Sequence, residues 1–278
     1  MSGYDLHVHS NVSDGALAPA QVVQRGVEAG LDGIALTDHD STAGLKEARA
    51  AAAGGLDVLT GCEVSSRWGE VGVHMLAYFV DVDHPEWVET LEYIRDDRVL
   101  RARGMVERLR EMGIGITMEQ VQAIAQGESI GRPHIAQALV DLRVIEHTPD
   151  AFTPEWIGDG GRAYVPKKVA SPHETVRVIT EAGGVAAVAH PIWIEREGGN
   201  IDRLIDELAS LGLGALEVSH PDHEPELRAR FDALAARHGL IGTSSSDFHG
   251  NEHGGVMGSN RATLDVVEAL RAASKDAR

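Results

Sequence analysis

Short apolar runs alternate with amphipathic stretches along most of the chain. An opening strand around Leu6 and Val8 precedes six further runs with the length of buried strands, at 33–37, 57–64, 71–80, 184–189, 215–219 and 240–244. Apolar residues at helical spacing mark the intervening helices, at 19–30, 43–53, 172–182, 201–211 and 225–238, and a short helix closes the chain. This alternation of strand and helix predicts an α/β fold with parallel strands.

The middle of the chain interrupts this alternation. The apolar period is helical from Pro85 to about Ala125, and another helix is predicted after Pro133. A glycine-rich loop is predicted from Phe152 to Pro166. We therefore predict a barrel domain formed by residues 1–89 and 166–278, with a helical cap inserted at residues 90–165.

Composition narrows the class of protein. The 278 residues are enough for a single α/β barrel, which typically needs about 250. The net charge of −18 argues against a broad nucleic-acid surface but leaves room for a small phosphorylated substrate. A single cysteine, Cys62, excludes an internal disulfide framework. Without a membrane-length apolar run or a secretory leader, we expect a cytoplasmic protein with no membrane or obligate protein partner.

Nine potential metal ligands lie at or near the predicted strand ends. His7 and His9 share one face of the first strand, because side chains two residues apart on a strand point the same way. The others are Asp14, His39, Glu63, His74, His190, Asp247 and His249. The carboxyl ends of parallel barrel strands meet on one face, so we expect these side chains to converge.

Each ligand alone has an ordinary alternative. His39 could be a turn residue, His74 a core histidine and Glu63 a salt-bridge partner, while the segment 247–249 could be a simple loop. All nine together exceed the four ligands of one tetrahedral zinc ion. Two or three divalent ions would use them all, and this donor set suits Mn, Fe or Zn.

The ordered motifs resemble the PHP (polymerase and histidinol phosphatase) family of metal-dependent phosphoesterases. The matching pieces are Asp5-Leu6-His7-Val8-His9-Ser10, Asp14-Gly15, Thr37-Asp38-His39-Asp40, Gly61-Cys62-Glu63, His74, Ala189-His190-Pro191 and Ser246-Asp247-Phe248-His249. The resemblance implies a distorted barrel of about seven β/α units and a trinuclear site. It assigns His7, His9, Glu63 and Asp247 to one ion, Glu63, His74 and His190 to a second, and Asp14, His39 and His249 to a third.

The helical insertion and the Gly131-Arg132-Pro133-His134 segment resemble the nucleotide-phosphatase branch of this family. That branch implies hydrolysis of nucleotide phosphate monoesters, with 3′,5′-bisphosphates favoured. The expected mechanism is attack by metal-bound hydroxide, with Glu63 and Asp247 bridging the ions. The alternatives are a 5′-to-3′ exoribonuclease on short RNA, a histidinol-phosphatase-like activity, and a non-catalytic metal-binding PHP module.

A phosphorylated substrate also needs cationic donors. Arg132 is the first candidate, because it begins a predicted helix whose free N–H groups favour anions. The further candidates are His134, Lys167, Lys168, Arg98, Arg101, Asp40 and His223. Arg98 and Arg101 could instead belong to a solvated helix face, and His223 could be an ordinary loop histidine.

Overall fold

The computed structural model describes residues 3–125, 130–166, 169–250 and 254–274. One seven-stranded sheet runs in sequence order. Its strands are β1 (Tyr4–Val8), β2 (Gly33–Leu36), β3 (Asp57–Trp68), β4 (Val71–Tyr78), β5 (Val185–Val188), β6 (Ala215–Ser219) and β7 (Ile241–Ser244). The barrel helices are α1 (Pro19–Glu28), α2 (Leu45–Ala52), α6 (Pro172–Glu181), α7 (Ile192–Arg196), α8 (Ile201–Ala209), α9 (Pro225–His238) and α10 (Leu264–Ala273). Between β4 and α6 lie α3 (Pro85–Glu111), α4 (Met118–Ala125), α5 (Arg132–Asp141) and a 3-10 turn (Thr148–Ala151).

The strands are not all parallel. β4 runs antiparallel to both β3 and β5, whereas the other neighbours are parallel. Only Gly69 and Glu70 separate β3 from β4, and so short a turn can join only antiparallel strands. Gly69 has a φ of +60°, a left-handed conformation that glycine adopts at no steric cost. The prediction of parallel strands throughout is wrong at this hairpin. β3 also continues to Trp68, so Glu63 lies within the strand and not at its end.

The two edges of the sheet meet and nearly close the barrel. The N–H of His9 donates to the carbonyl of Phe248 at 2.8 Å. Asp5 in β1 accepts hydrogen bonds from the N–H and the hydroxyl of Ser246, at 2.9 and 2.6 Å, and from the N–H of Gly258 at 2.8 Å. These contacts place the segment after β7 beside β1. The predicted seven-stranded barrel is thereby confirmed.

The barrel and the cap have separate apolar clusters that meet along α3. Trp87 and Ile94, in the first half of α3, pack in the barrel cluster with β3, β4 and β5. Met105 and Leu109, in its second half, pack with α4 and α5. α3 therefore anchors the cap to the barrel, and a domain boundary at residue 90 stays a prediction. In the described ranges, no helix has both the length and the apolar composition needed to span a bilayer.

Candidate metal centre

Glu63 lies at the middle of the histidine cluster and is almost completely buried. Both of its carboxylate oxygens are contacted by imidazole nitrogens. Oε1 is 2.9 Å from Nδ1 of His74 and 2.9 Å from Nε2 of His190, and Oε2 is 3.0 Å from Nδ1 of His39, 3.2 Å from Nε2 of His7 and 3.3 Å from Nε2 of His9. The position of Glu63 inside β3, which pairs with both β2 and β4, explains how one side chain reaches histidines from β1, β2, β4 and β5.

Two aspartates border the same cluster. Oδ1 of Asp247 is 3.4 Å from Nε2 of His7 and 3.3 Å from Nε2 of His9. Oδ1 of Asp14 is 3.4 Å from Nε2 of His249 and 3.7 Å from Nδ1 of His9. The structure thus brings all nine predicted ligand residues into one contiguous cluster, although β4 runs against the direction expected for it.

The donor set fits divalent metal ions. Three groups of donor atoms each lie within 4.8 Å of one another: His9, Asp14, His39 and His249; His7, His9 and Glu63; and His39, Glu63 and His74. Nε2 of His7, Nε2 of His9 and Oε2 of Glu63 are buried without a hydrogen-bond partner among the described residues. Ligands at the usual zinc distance of about 2.0–2.1 Å are spaced by about 3.3 Å around a tetrahedral ion. The observed spacings between these atoms, 3.2 and 3.3 Å, match that value.

The charges of the cluster support the same conclusion. Burial alone would raise the pKa of Glu63, but the neighbouring His39, His74 and His7 hold that pKa well below its usual range. Burial lowers the pKa of His249, yet Asp14 and Asp247 outweigh it and raise the pKa to about 10. Without another cation, protons on histidines such as His7 and His249, whose pKa values are raised, balance the carboxylates. Divalent ions bind neutral imidazole and would take the place of these protons.

Glu217 orients two of the ligand residues, and the sequence analysis missed it. Its Oε1 accepts a hydrogen bond from Nδ1 of His7 at 3.1 Å and another from the hydroxyl of Ser245 at 2.5 Å. Its Oε2 accepts from the backbone N–H of His190 at 2.5 Å. A donating Nδ1 leaves the Nε2 lone pair of His7 facing Glu63, as in metal sites whose histidines are held by an outer carboxylate. The available signal was a single acidic residue inside the apolar strand β6.

His220 has a comparable role beside Asp247. Its Nδ1 accepts a hydrogen bond from the N–H of Asp222 at 3.1 Å, so the proton of the neutral ring sits on Nε2. Nε2 lies 3.4 Å from Oδ2 of Asp247. Asp247 and His190 also have positive φ values, 50° and 25°. Such backbone conformations are costly for residues with a Cβ and are often found at functional sites.

A cavity of about 380 Å³ opens beside the cluster, and a smaller one of about 170 Å³ adjoins it. Both volumes are bordered by the barrel residues His39 and His74 and by the cap residues Arg101 and Arg132. The cap thus contributes cations to the space above the metal ligands.

Arg101 and Arg132 differ in how far the protein compensates their charge. Nη1 of Arg132 is 3.3 Å from Oδ1 of Asp159. Nε of the buried Arg101 donates to the carbonyl of Val165 at 2.6 Å, and no ion pair among the described residues joins Arg101 to a carboxylate. Burial, with the nearby charge of Arg132, lowers the pKa of Arg101 to about 10. An anion bound in the cavity would supply the missing negative charge.

Asp40 and Arg98 bind each other across the boundary between barrel and cap. Oδ2 of Asp40 accepts a hydrogen bond from Nε of Arg98 at 2.6 Å, and Ser65 donates its N–H and its hydroxyl to the same carboxylate at 2.6 and 2.9 Å. Asp40 is completely buried and borders neither of the two cavities, so its role as a substrate contact stays a prediction. Arg98 borders the smaller cavity, and both Arg98 and Arg101 are buried, so neither lies on a solvated face.

The remaining predicted substrate residues lie in different parts of the structure. His134 lines the smaller cavity, where its Nδ1 accepts the N–H of Gly131 at 2.9 Å and burial lowers its pKa. The lowered pKa favours the neutral ring, and the backbone of Ser13 is a further hydrogen-bond partner of this imidazole. His223 is buried, donates Nδ1–H to the carbonyl of Val218 at 2.9 Å and borders neither of these two cavities, so its role as a substrate contact stays a prediction. Lys167 and Lys168 lie outside the described residues.

Comparison with known proteins agrees with this geometry. Residues 5–115 match the model of the PHP domain. The chain is 37% identical to the 3′,5′-nucleoside bisphosphate phosphatase of Chromobacterium violaceum, over 92% of this chain and 90% of the relative. It is 33% identical to the 5′-3′ exoribonuclease Rnm of Escherichia coli, over 88% and 85%. A crystal structure described as a metal-dependent phosphoesterase from Bifidobacterium adolescentis superposes with a TM-score of 0.90 at 35% identity, covering 98% of this chain and 96% of the other.

Proposed function

This chain belongs to the PHP family and is a phosphoric ester hydrolase, and we propose that it removes a phosphate monoester from nucleotides, with nucleoside 3′,5′-bisphosphates as the favoured substrates. One observation carries the proposal: the buried guanidinium of Arg101, which lacks a carboxylate partner among the described residues, lines the same cavity as the metal-ligand cluster. The cavity volume of about 380 Å³ suits a ligand of nucleotide size.

The ligand residues would hold two or three divalent ions of the kind that bind imidazole and carboxylate together, with Mn, Fe and Zn as the candidates. We propose three ions held as the family resemblance implies, and the contacts of Asp247, Glu63 and Asp14 are compatible with that division. When bound, such ions neutralise the charge of a phosphoryl group and lower the pKa of a water molecule.

The protein side chains would supply positioning. Arg101 and Arg132 would donate N–H groups to phosphate oxygens, and a guanidinium does this through two parallel hydrogen bonds. His134 borders the smaller cavity and would lie beside the bound phosphate. Glu217 would keep the imidazole of His7 in the tautomer that binds a cation. These groups would hold the phosphate in place before reaction, which is where positioning contributes most to the rate.

A second candidate is 5′-to-3′ hydrolysis of short RNA, a phosphodiester reaction on the same metal centre. The 33% identity to the exoribonuclease of E. coli supports it. The net charge of −18 favours the smaller substrate, because extended RNA needs a broad basic surface.

Product analysis separates these two candidates. Metal-replete protein is incubated with adenosine 3′,5′-bisphosphate, with adenosine 5′-monophosphate and with a 5′-phosphorylated RNA pentamer, and released phosphate and mononucleotides are quantified. Phosphate from the bisphosphate without mononucleotides from RNA supports the main proposal. Stepwise release of mononucleotides supports the second candidate.

Two variants link the activity to the metal centre. His9→Ala removes a ligand that contacts both Glu63 and Asp247, and it should lower bound metal and activity together. His147→Ala changes an exposed histidine of the cap and should alter neither. An active His9→Ala protein with the full metal content of the wild type would contradict the proposed centre.

A further inference from the structure

Trp193 is an unusually exposed aromatic residue on the wall of the larger cavity. It lies three residues after the ligand His190, in the short helix α7, and 45% of its surface is accessible. The guanidinium carbon of Arg196 lies 4.4 Å from the centroid of its indole ring, and Arg196 is itself held by Asp222 at 3.1 Å. The ring is thus fixed in orientation while much of its apolar surface remains open.

The wall that carries Trp193 is continuous with the arginine side of the cavity. The N–H of Gly72, at the start of β4, donates to Oε2 of Glu197, the residue that follows α7, at 2.7 Å. Nη1 of Arg67, at the end of β3, donates to the hydroxyl of Tyr164 at 3.2 Å. The ring of Tyr164 lies 5.4 Å from the guanidinium carbon of Arg101. The hairpin therefore connects α7 to the residues that surround Arg101.

The two parts of this wall suit different chemical groups. Around Arg101 and Arg132 the cavity has excess positive charge and suits a phosphate. Around Trp193 the wall carries the acidic residues Glu70 and Glu197, and both arginines there are paired with carboxylates, Arg67 with Glu70 at 2.6 Å and Arg196 with Asp222 at 3.1 Å. A phosphate is disfavoured there, whereas a flat neutral heterocycle with N–H groups at its edge can stack on the indole and donate to a carboxylate.

We propose that Trp193 is the stacking platform for the nucleobase of the substrate. This inference rests on the proposed nucleotide phosphatase function and adds the part of the site that recognises the base. Stacking of a base on an aromatic side chain typically changes affinity by about 5- to 150-fold. Among the ring contacts of the described residues, the indole of Trp193 meets Arg196 but neither Arg101, Arg132 nor a residue of the ligand cluster. Its loss should therefore weaken substrate binding without slowing the chemical step.

Steady-state kinetics test this assignment with two substrates. Trp193→Ala should raise KM for adenosine 3′,5′-bisphosphate by about 10-fold or more and leave kcat nearly unchanged. For ribose 3,5-bisphosphate, which has no base, the KM of Trp193→Ala should equal the KM of the wild type. Trp193→Phe should restore most of the affinity for the nucleotide. Tyr93→Ala removes an equally exposed aromatic residue from α3, outside the cavity, and should change neither KM.

A binding measurement tests the base platform independently of the phosphatase activity. Adenosine 5′-monophosphate should quench the tryptophan fluorescence of the metal-loaded wild type, and Trp193→Phe should lose most of that quenching while still binding the nucleotide in equilibrium dialysis. Equal quenching in both proteins, or equal KM changes for the two bisphosphates in Trp193→Ala, would overturn the base platform. Absence of phosphate release from every nucleotide, with quenching lost only in Trp193→Phe, would overturn the proposed activity and leave the platform standing.

Discussion

The barrel face and the cap present groups of opposite charge to the same cavity. The barrel brings carboxylates and imidazoles together, so that buried atoms such as Oε2 of Glu63 and Nε2 of His9 have no hydrogen-bond partner among the described residues and can bind cations. The cap brings arginines together, and no ion pair among the described residues joins Arg101 to a carboxylate. Arg98 shows the alternative, because Asp40 satisfies it and makes it structural. A binding site can therefore be recognised by the charge that the protein leaves uncompensated.

The largest effect is expected at Glu63, where the barrel cluster would be broken. Glu63→Gln removes the negative charge that five histidines share and leaves an amide N–H facing their lone pairs. Loss of an outer carboxylate typically costs about 10- to 100-fold in metal affinity or activity, so loss of this inner one should exceed about 100-fold. Elemental analysis and phosphate release measure both quantities on the same sample.

The matched control for that change is an exposed glutamate on the barrel. Glu28→Gln affects exposed contacts with Arg25 and Gln24 in α1, far from the cluster in the fold, and should retain full metal content and rate. Chelation of the wild type should reproduce the Glu63→Gln defect, and re-addition of metal should rescue only the wild type. Rescue of the variant to wild-type activity would show that Glu63 does not hold the ions.

A smaller effect is expected at Glu217, which supports the cluster without belonging to it. Glu217→Gln keeps the shape of the side chain but weakens the acceptor for Nδ1 of His7. We expect about a 10- to 100-fold loss of metal affinity, with activity recovered at high metal concentration. Metal titration of the activity is the measurement. An unchanged titration midpoint would remove Glu217 from the support of the metal centre.

The cap should respond differently from the barrel. Arg101→Met keeps most of the apolar stem and removes the guanidinium, and we expect about a 10-fold or larger rise in KM, as for loss of a hydrogen bond to a charged group. Metal content should stay at the wild-type level. Arg103→Met, at an exposed position of the same helix, provides the control. Loss of bound metal in Arg101→Met would contradict the assignment of metal binding to the barrel and substrate binding to the cap.

The sequence could predict the parts of the site that depend on local motifs, but not the contacts between residues that are far apart in the chain. Most of the nine candidate ligand residues were recognisable because strand ends place local motifs such as His7 and His9 on one face, whereas Glu63 and His74 lie inside β3 and β4. The pairs that define the outer contacts join residues far apart in the chain, as with Asp40 and Arg98 or His7 and Glu217. No local pattern identifies such partners. A sequence alone also cannot distinguish a compensated arginine, such as Arg98, from the uncompensated Arg101.

The smallest effect is expected where the chain returns from the cap to the barrel, at the start of α6. The hydroxyl of Ser171 accepts the N–H of Glu174 at 3.3 Å, and Oε2 of Glu174 accepts the N–H of Ser171 at 2.9 Å. Ser171→Ala should lower the free energy of unfolding by about 1 kcal/mol, as for loss of a helix N-cap. Metal content and KM should not change, because neither residue lines the two cavities.

The pH dependence of this variant makes its test specific to the capping contact. Hydrogen bonds from the backbone and side chain of Ser171 lower the pKa of Glu174 below its ordinary value of 4.5. A carboxyl group whose pKa is lowered by folding stabilises the native state above its unfolded pKa, and that contribution is lost as the pH falls. Urea unfolding should therefore show a difference between wild type and Ser171→Ala that is largest near neutral pH and shrinks below about pH 4.5. Ser210→Ala, at the C-terminal end of α8, is the control and should show no such pH dependence. If the difference for Ser171→Ala did not change with pH, its effect would not come from the ionised carboxylate of the capping box.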